Sequence, residues 1–298
     1  MRPTARSTIF VQIASYCDPQ LASTIRSALA EAAHPERVMV GVCHQYGSDD
    51  ERLLDEFAGE PWLRVDRVPA EQARGVGWAR ARANELWEGE DFVLQIDAHS
   101  RFAPGWDDDL VDMWHSLGRE RAIVSAYPPP FEIRDDGTEY LYPDRSARRM
   151  ELRHFRPNGT TAQRMQSVPS GEPPRQALLA AGFLFANGRF VRDVPYDPTC
   201  FFDGEELSLA VRAYTHGYDV YGPTQQVIWH RYGDHAPKVW AHDGSDERVE
   251  RWQARLHRML RGDDVDLDGY GLGVLRTLAG FEALAGFRLD WSDGVWHE

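Results

Sequence analysis

Two side chains able to bind a metal ion stand two positions apart at the end of an apolar stretch. The stretch is DFVLQIDAHSRF, residues 91–102, in which an apolar run reaches Asp97 and His99. Residues i and i+2 of an extended chain point to the same side, so this carboxylate and this imidazole would lie together. Such a pair can provide two ligands to a divalent cation. The spacing alone is also typical of an ordinary polar strand end, so the hypothesis needs further ligands.

A candidate third ligand follows another short apolar segment. In IWHRYG, residues 228–233, the apolar run ends at His230. A third ligand would complete one face of an octahedral ion and leave the other positions open for an anionic substrate. His235 lies nearby and could take the same place, so the sequence leaves the choice between the two histidines open. Considered alone, a histidine at either position is more often an ordinary polar residue than a metal ligand.

Three carboxylates surround a glycine in FFDGEE, residues 201–206. Asp203, Glu205 and Glu206 stand close enough to repel one another, which predicts a raised pKa or a cationic partner for at least one of them. A helix is predicted directly after them, and acidic residues also suit the first turn of a helix because of its dipole. The same dipole accounts for the acidic run 107–109, which we assign to a helix start.

Arginines are frequent in RGVGWARAR, residues 74–82. An arginine presents a fixed fork of donors that matches phosphate. Arg80 and Arg82 would lie about 200° apart on a helix, so only one of them can face a site. The glycines do not make the dinucleotide-binding pattern G-x-G-x-x-G, and the sequence contains neither a P-loop nor the G-x-S-x-G turn of serine hydrolases.

These candidate residues need a scaffold, and the sequence predicts an α/β fold with a Rossmann-like, mostly parallel central sheet flanked by helices. Short apolar runs suited to buried strands alternate with helical patterns. Ligands of such sheets bind beyond the carboxyl ends of the strands, so Asp97 and His99 would lie at the mouth of the sheet. The predicted strands are 9–14, 38–43, 63–68 and 92–96, and the predicted helices include 21–33 and 72–88.

We interpret the chain as one main domain with a helical extension. The main domain is predicted over residues 1–235, and residues 236–298 are predicted to form C-terminal helices packed on it. Residues 132–175 are rich in proline, arginine and polar residues without periodicity, which predicts an irregular insertion. Ser245 can cap a helix whose apolar side carries Trp252.

Composition narrows the class of protein. The 298 residues carry a formal net charge of −14, which is unlike most nucleic-acid-binding proteins, so no nucleic-acid partner is expected. No apolar run approaches the length of a membrane-spanning helix and no signal-peptide core is present, so no membrane partner is expected. The three cysteines are widely spaced and support neither a disulfide framework nor a zinc site. A cytoplasmic location is predicted.

The motifs occur in a recognisable order. They are IFVQIASYCDPQL, GVGWARARA, LQIDAHSRF, YPPP, AAGFLFANGRFVRDVPYDPTCFFDGEE, RAYTHGYDVYGP, IWHRYG and GLGVLRTLAGFEALAGF. Together they resemble the GlcNAc-transferase family typified by the cytoplasmic enzymes that glycosylate hydroxyproline in a protein. The mucin-type polypeptide GalNAc-transferases are more distantly similar. The resemblance covers most of the chain outside residues 132–175.

The resemblance implies a GT-A fold and a metal-dependent, retaining glycosyltransferase that uses a UDP-sugar, above all UDP-GlcNAc. The acceptor would be a hydroxyl group on a protein, a peptide or a small molecule. Asp97 and His99 would form an Asp-x-His motif that binds Mn²⁺, with Mg²⁺ as the alternative, and His230 aligns with a later metal-binding histidine. The implied catalytic residues, which position sugar and acceptor, are Asp203, Glu205 and Glu206. The implied donor-binding residues are Ala14, Ser15, Tyr16, Asp18, Arg74, Trp78, Arg80, Gln95 and Asp97.

Two departures limit what the resemblance implies. Cys17 stands where the family's SYRDPE turn typically has a basic residue, and residues 132–175 diverge where an acceptor would dock.

Retention is compatible with a front-face mechanism or with a covalent intermediate, and we assign Glu205 to orienting hydroxyl groups. Two other functions stay open: a metal-dependent sugar-nucleotide hydrolase or nucleotidyltransferase, and a non-catalytic sugar-binding GT-A scaffold. The reaction products would distinguish them.

Overall fold

The computed structural model describes residues 7–169, 171–233, 235–241, 245–263, 267–289, 291–292 and 295–296. The strands in these residues are β1 (Ile9–Tyr16), β2 (Val38–Tyr46), β3 (Leu63–Pro69), β4 (Phe92–Asp97), β5 (Ser100–Phe102), β6 (Ala122–Ser125), β7 (Phe131–Ile133), β8 (Glu139–Leu141), β9 (Arg148–Phe155), β10 (Thr161–Ser167), β11 (Arg175–Gln176), β12 (Phe183–Asn187), β13 (Asp219–Tyr221), β14 (Ile228–His230), β15 (Trp291–Ser292) and β16 (Val295–Trp296). The α-helices are α1 (Leu21–Ala30), α2 (Val76–Asn84), α3 (Trp106–Ser116), α4 (Phe190–Asp193), α5 (Glu205–Thr215), α6 (Ser245–Arg261) and α7 (Leu278–Ala285). Short 3₁₀ segments lie at Pro35–Arg37, Asp55–Phe57, Ala70–Gln72, Val239–Ala241 and Leu267–Gly269.

The predicted α/β fold with a mostly parallel sheet is confirmed. Eight strands form the main sheet in the spatial order β11–β13–β6–β12–β4–β1–β2–β3. The four strands predicted from apolar runs are β1 to β4, and they pair in parallel. Strand β12 runs antiparallel to both of its neighbours, β4 and β6. Helix α1 connects β1 to β2 and helix α2 connects β3 to β4, because parallel strands need crossover connections.

The central strands are nearly continuous apolar runs because both faces of the sheet are covered. Alternate residues of β1 point to opposite faces. Ile9 and Val11 pack in a core shared with α1 and α3, whereas Phe10 packs in a second core shared with α5, α6 and α7. The main sheet is therefore the middle layer of three.

Helix α2 begins at Val76, four residues after the predicted start at residue 72. Gly75 has a φ of 113°, which is not helical and is rarely adopted by other residues. A Cβ at this glycine would lie 2.6 Å from the carbonyl oxygen of Phe201, so only glycine allows the close approach. The backbone N–H of Val76 donates to that same oxygen at 2.9 Å. This contact sets α2 against the segment that precedes α5.

Residues 132–175 are more regular than the sequence predicts. Two antiparallel hairpins lie in or at the edge of this stretch, formed by β7 with β8 and by β9 with β10. Most residues of β9 and β10 are half-buried or exposed, so the strands are held by pairing with each other rather than by burying one face. A hydrophobic pattern does not record such pairing, which is why the hairpins were predicted as irregular.

The C-terminal helices α6 and α7 pack on the second core. In α6 the indole of Trp252 is 2% exposed, and its Nε1 donates to the backbone oxygen of Asp203 at 2.7 Å. Ser245 is the first residue of α6, and its hydroxyl donates to the backbone oxygen of Trp240 at 2.9 Å. Within the predicted ranges 1–235 and 236–298, residues 1–6, 170, 234, 242–244, 264–266, 290, 293–294 and 297–298 lie outside the described residues.

In the part of the chain that the structure describes, no helix combines the length with the apolar character that crossing a bilayer requires.

We expect Trp252→Ala to lower the free energy of unfolding by about 3–5 kcal/mol, because it removes a buried indole and leaves a cavity. Trp252→Phe should have a smaller effect, since it keeps most of the side-chain volume and loses mainly the hydrogen bond to Asp203. Urea unfolding of both variants and the wild type measures this difference. Equal stability of Trp252→Ala and the wild type would contradict the packing of α6 on the main sheet.

Candidate active site

Five side chains able to bind a metal ion meet at the carboxyl edge of the main sheet. Asp97 is the last residue of β4, and His99 follows in the turn to β5. Strand β14 pairs with β5 and ends in His230, which places this imidazole beside the turn. Asp18, just after β1, and His235, from the segment after β14, complete the set. The local pairing of β5 with β14 therefore joins ligands that are far apart in the chain.

The five side chains form two groups of three that share His99. The ligand atoms of Asp97, His99 and His230 all lie within 4.8 Å of one another, and so do those of Asp18, His99 and His235. Nε2 of His230 is 3.0 Å from Oδ2 of Asp97, and Nδ1 of His99 is 2.6 Å from Oδ2 of Asp18. The three predicted metal ligands are thus brought together, and His235 lies on the Asp18 side of the cluster.

The donor set fits a divalent cation. A mixture of imidazole nitrogen and carboxylate oxygen favours a transition-metal ion over Mg²⁺, whose ligands are usually oxygens. Nδ1 of His230 and both ring nitrogens of His235 are buried and have no hydrogen-bond partner among the described residues. Burial lowers the pKa of His230, and burial together with the neighbouring His99 lowers the pKa of His235 to about 4. Both rings are therefore neutral near pH 7, the form in which imidazole binds metals.

A buried arginine holds Asp97 from behind. Nη2 of Arg80 donates to Oδ1 of Asp97 at 2.7 Å, and the Arg80 side chain is 1% exposed. Burial acts to raise the pKa of Asp97, but His230 and Arg80 together hold it well below its usual range. Of the two arginines weighed from the sequence, Arg80 faces the site, whereas Arg82 forms an ion pair with Asp66.

Asp18 is also held as a carboxylate. Burial acts to raise its pKa, but the hydrogen bond and charge of His99 and the backbone N–H of Gln20 keep the pKa below its ordinary value. The Gln20 N–H donates to Oδ1 of Asp18 at 2.8 Å. The Asp18 side chain is therefore bonded through both of its oxygens.

Glu205 begins helix α5 and is buried next to Asp97. The hydroxyl of Tyr196 donates to Oε1 of Glu205 at 2.9 Å, and Nε of Arg80 lies 3.9 Å from the same oxygen. Burial raises the pKa of Glu205 to about 7, although Arg80 and Tyr196 act to lower it. The sequence predicted a raised pKa in this acidic cluster, and its main cause is burial.

Glu206 connects the start of α5 to two other segments. Its Oε2 accepts hydrogen bonds from the hydroxyl of Tyr127 at 2.6 Å and from Nε2 of Gln163, in the β9–β10 hairpin, at 3.0 Å. Its Oε1 accepts the backbone N–H of Ala181 at 3.0 Å. Burial raises the pKa of Glu206 to about 7 even though Tyr127 and the Ala181 N–H favour the carboxylate. Both glutamates therefore titrate close to neutral pH.

Two adjoining cavities open on either side of Asp97 and His230, and both residues line both of them. The first cavity, of about 310 Å³, extends past the ends of β1 and β2 to the segment 231–240. The second cavity, of about 290 Å³, extends over the start of α5 to Arg156 and Thr161 of the insertion. The predicted ligand cluster thus lies at the boundary between two compartments.

The predicted site residues distribute unevenly over these cavities. All three predicted catalytic residues line the second cavity: Asp203, Glu205 and Glu206. Oδ1 of Asp203 also lies 3.5 Å from Nη1 of Arg156. Four of the predicted donor-binding residues line the first cavity: Ala14, Tyr16, Asp18 and Asp97.

The other five predicted donor-binding residues do not line the first cavity. Arg80 lies behind Asp97, Ser15 is fully buried, and Nε2 of Gln95 donates to the backbone oxygen of Ala181 at 2.7 Å. The centroid of the Trp78 ring lies 5.7 Å from the guanidinium carbon of Arg74 and 4.9 Å from that of Arg82. Arg74 also lines a separate cavity of about 250 Å³ next to α6.

Several residues of the first cavity were not predicted from the sequence. Arg231 and Lys238 bring positive charge to it, and Gln45 lines it from the end of β2. The rings of Phe202 and Trp240 also line it, with their centroids 3.8 Å apart and their planes tilted by 32°. One signal was available, since Lys238 is the single lysine of the sequence and follows the histidine segment. Its position at a cavity depends on the path of residues 231–240, which no local pattern encodes.

The structure thus combines a mostly parallel α/β sheet with acidic and imidazole side chains at its carboxyl edge, between two cavities. The sequence model of the family described as "Glycosyltransferase (GlcNAc)" matches residues 8–60 and 56–289. The chain belongs to this glycosyltransferase family. The family resemblance carried by the motifs is thereby confirmed.

Solved structures confirm the predicted GT-A fold. GalNAc-T7, solved with UDP, GalNAc and Mn²⁺, is 16% identical over 94% of this chain, with a TM-score of 0.61. S. aureus TarS 1–349 is 11% identical over 93% of this chain, with a TM-score of 0.56, and its complex with UDP-GlcNAc gives a TM-score of 0.54. The chain spans 55% of the GalNAc-T7 chain and 69% of the TarS chain. Among curated proteins, none is significantly similar in sequence.

Glu205→Gln tests the raised pKa of Glu205. The folded-state pKa, about 7, lies above the ordinary 4.5, so the folded protein holds this proton more tightly than the unfolded chain does. Stability contributed in this way is present at low pH and is lost as the pH rises through about 7. When the pH rises from about 5 to about 8, we therefore expect the free energy of unfolding of the variant, relative to that of the wild type, to increase by about 1–3 kcal/mol.

Urea unfolding of both proteins at the two pH values measures this gain, with the exposed Glu56→Gln as the control for the loss of a glutamate charge. A difference between Glu205→Gln and the wild type that stays constant with pH would contradict the raised pKa.

Proposed function

We propose that this protein is a metal-dependent, retaining glycosyltransferase that transfers GlcNAc from UDP-GlcNAc to a hydroxyl acceptor. The observation that carries the proposal is the position of Asp97 and His230 between the two cavities. A group-transfer enzyme must bind its donor and its acceptor next to each other, so that the transferred group can pass from one to the other. We assign the first cavity to the UDP moiety and the second to the sugar and the acceptor.

The comparisons support the choice of donor. The family description names GlcNAc, TarS has been solved with UDP-GlcNAc, and GalNAc-T7 has been solved with UDP, GalNAc and Mn²⁺. Each of these structural relatives is less than 20% identical to this chain, so the sugar is the part of the proposal that needs its own measurement.

We propose that Asp97, His99 and His230 hold a divalent cation, with Mn²⁺ preferred over Mg²⁺ because two of the three ligands are imidazoles. When bound, such an ion acts as a Lewis acid on the charge that develops on a leaving diphosphate. We propose that Arg80 keeps the Asp97 carboxylate ionised and oriented, since its guanidinium bonds Asp97 and does not reach either cavity. This differs from the donor-binding role that the family resemblance implied for Arg80.

Positive charge for the donor phosphates is assigned to Arg231 and Lys238. Both line the first cavity. Local positive charge is needed there because the net charge of the chain is −14 and its acidic residues would repel a diphosphate. Cations fixed beside a site of developing negative charge stabilise the transition state without reorganisation. The rings of Phe202 and Trp240 line the same cavity and give it an apolar surface beside these cations.

The second cavity is assigned to the sugar and the acceptor hydroxyl. Glu205 and Glu206 line it, and their pKa values of about 7 allow each to accept or donate a hydrogen bond near neutral pH. In a retaining transfer the acceptor oxygen attacks from the face that UDP leaves, so a group that orients this hydroxyl must lie on the same side as the diphosphate. We propose that Glu206 orients the acceptor, because Gln163 ties it to the divergent hairpin of the insertion.

The proposed organisation follows the assignments of the sequence: a catalytic domain over 1–235, whose insertion lies on the acceptor side, and a helical extension over 236–298 that supports the start of α5 through Trp252. The three cysteines are free thiols, which supports a reducing compartment, and we propose the cytoplasm.

The first experiment measures UDP release from a panel of UDP-sugars, without added acceptor, with Mn²⁺ and with EDTA. We expect slow, Mn²⁺-dependent release from UDP-GlcNAc. Release of UMP and sugar phosphate would identify a nucleotidyl-group reaction instead, and free sugar as the only product with every acceptor tested would identify a hydrolase. Binding of a UDP-sugar with no turnover would indicate a non-catalytic scaffold. The anomeric configuration of a transferred sugar, read by NMR, tests retention.

The metal assignment predicts a ranking of variants. Asp97→Ala and His230→Ala should lower the rate of Mn²⁺-dependent UDP release by about 100-fold or more, because the ion supplies several kcal/mol and each ~1.4 kcal/mol is tenfold. His235→Ala should cause a smaller loss. Asp108→Ala, at a half-exposed carboxylate in the first turn of α3, is the control. A larger loss in His235→Ala than in His230→Ala would transfer the third ligand position to His235.

The assignment of Lys238 predicts an effect on donor affinity. Lys238→Ala should raise KM for the UDP-sugar about tenfold, because one cation at the phosphates is lost, whereas Lys238→Arg should restore most of the affinity. Steady-state kinetics at two salt concentrations measure both effects, and the difference between the wild type and Lys238→Ala should shrink at high salt. If Lys238→Ala and Lys238→Arg raise KM equally, charge is not what Lys238 contributes.

A further inference from the structure

One strong contact in the site is not explained by the proposed metal ligands. Oδ2 of Asp18 lies 2.6 Å from Nδ1 of His99, and Asp18 is only 3% exposed. The carboxylate is fixed from the other side, since its Oδ1 accepts the backbone N–H of Gln20 at 2.8 Å. The turn itself is anchored at Cys17, which has a φ of 45° and donates its N–H to the backbone oxygen of Gln45 at 2.8 Å.

This contact decides which nitrogen of His99 can bind a metal ion. A carboxylate only accepts hydrogen bonds, so Nδ1 of His99 must carry the hydrogen. In the neutral form of the ring, the free lone pair is then on Nε2, and we assign this nitrogen to the group formed with Asp97 and His230. Histidine ligands in metal sites commonly donate their second N–H to a carboxylate, which fixes the tautomer and makes the ligand nitrogen more basic.

We propose that Asp18 is the positioning residue of the metal centre: it fixes the tautomer and the orientation of His99 and so raises the affinity of the site for its cation. This inference rests on the proposed metal centre of Asp97, His99 and His230. It assigns Asp18 a role other than the donor contact that the family resemblance implied for the end of β1.

Two other roles for Asp18 have different consequences. Asp18 lines the first cavity, so it could contact the donor directly. In that case its loss would weaken donor binding but leave the affinity for the cation alone unchanged. Asp18 could also be a ligand together with His235, whose Nε2 is 3.9 Å from Oδ2 of Asp18. In that case His235→Ala would weaken cation binding as much as Asp18→Ala does.

The test titrates Mn²⁺ in the absence of any nucleotide and follows free Mn²⁺ by electron paramagnetic resonance. The proteins are the wild type, Asp18→Asn, Asp18→Ala, His235→Ala and a matched control, Asp50→Asn. Asp50 also pairs with a histidine, since its Oδ2 is 3.3 Å from Nε2 of His44, but neither residue lines the two cavities. We expect the Asp18 variants to bind Mn²⁺ about 10–100-fold more weakly, His235→Ala to lose less, and Asp50→Asn to resemble the wild type.

A second readout does not depend on the metal. Long-range ¹H–¹⁵N correlation spectra of the metal-free protein report which nitrogen of His99 is protonated. We expect the Nδ1–H tautomer in the wild type and a shift towards the Nε2–H form in Asp18→Asn, because an amide can also donate to Nδ1.

The outcomes separate this inference from the proposed function. Weaker Mn²⁺ binding with a changed tautomer in the Asp18 variants supports the positioning role. Unchanged Mn²⁺ affinity in both Asp18 variants, or an equal loss in Asp50→Asn or His235→Ala, overturns it while the metal centre stands. Absence of Mn²⁺ binding by the wild type overturns the metal centre and the role of Asp18 with it.

Discussion

The ionised carboxylate of Asp97 depends on a guanidinium that is itself almost completely buried. Burying a charged arginine is costly unless its donors are satisfied. Arg80 meets this condition at its two terminal nitrogens, whose hydrogen bonds are accepted by Asp97, the backbone oxygens of Ile96 and Ala181, and the side chain of Gln12. Its Nε has no hydrogen-bond partner among the described residues and lies 3.9 Å from Oε1 of Glu205. These acceptors come from β1, from β4 and from the segment before β12, so the sheet must be assembled before Arg80 can be buried. In this way the charge of the proposed metal centre and the packing of the central strands depend on each other.

The same network extends to the acidic start of α5. The backbone oxygen of Ala181 accepts from Gln95 and Arg80, while its N–H donates to Glu206. A Cβ at the next residue, Gly182, would lie 2.7 Å from Oδ2 of Asp97, so a glycine is needed where this segment passes the carboxylate. The raised pKa values of the two glutamates follow from this arrangement, because the backbone brings them into a buried position without an equal number of cations. Two ionisable groups that titrate near neutral pH beside a cavity are a common property of active sites.

The inner walls of the two cavities belong to the packed core, whereas their outer walls are formed by segments outside it. The walls formed by β1, β4 and α5 belong to the three-layer core. The outer walls come from the insertion on one side and from segment 231–240 on the other, and these segments contribute Arg156, Thr161, Arg231 and Lys238. Loops and hairpins outside the core change most easily without loss of the fold. In the proposed function, the core provides Asp97 and the two glutamates, the insertion lies on the acceptor side, and segment 231–240 lies on the donor side.

The sequence by itself determined the central strands, because strands covered on both faces must be apolar throughout and this leaves a local pattern. It also placed Asp97 and His99 at a strand end, and Glu205 and Glu206 at a helix start, since both assignments depend only on neighbouring residues. The tertiary structure decided which of these residues share a site. His230 meets Asp97 because β14 pairs with β5, and the folded chain turns Arg80 towards Asp97 and Arg82 towards Asp66. The hairpins of the insertion, the position of Lys238 and the contact of Asp18 with His99 likewise depend on the path of the whole chain. Contacts between distant segments have no period in the sequence, so only the folded chain reveals them.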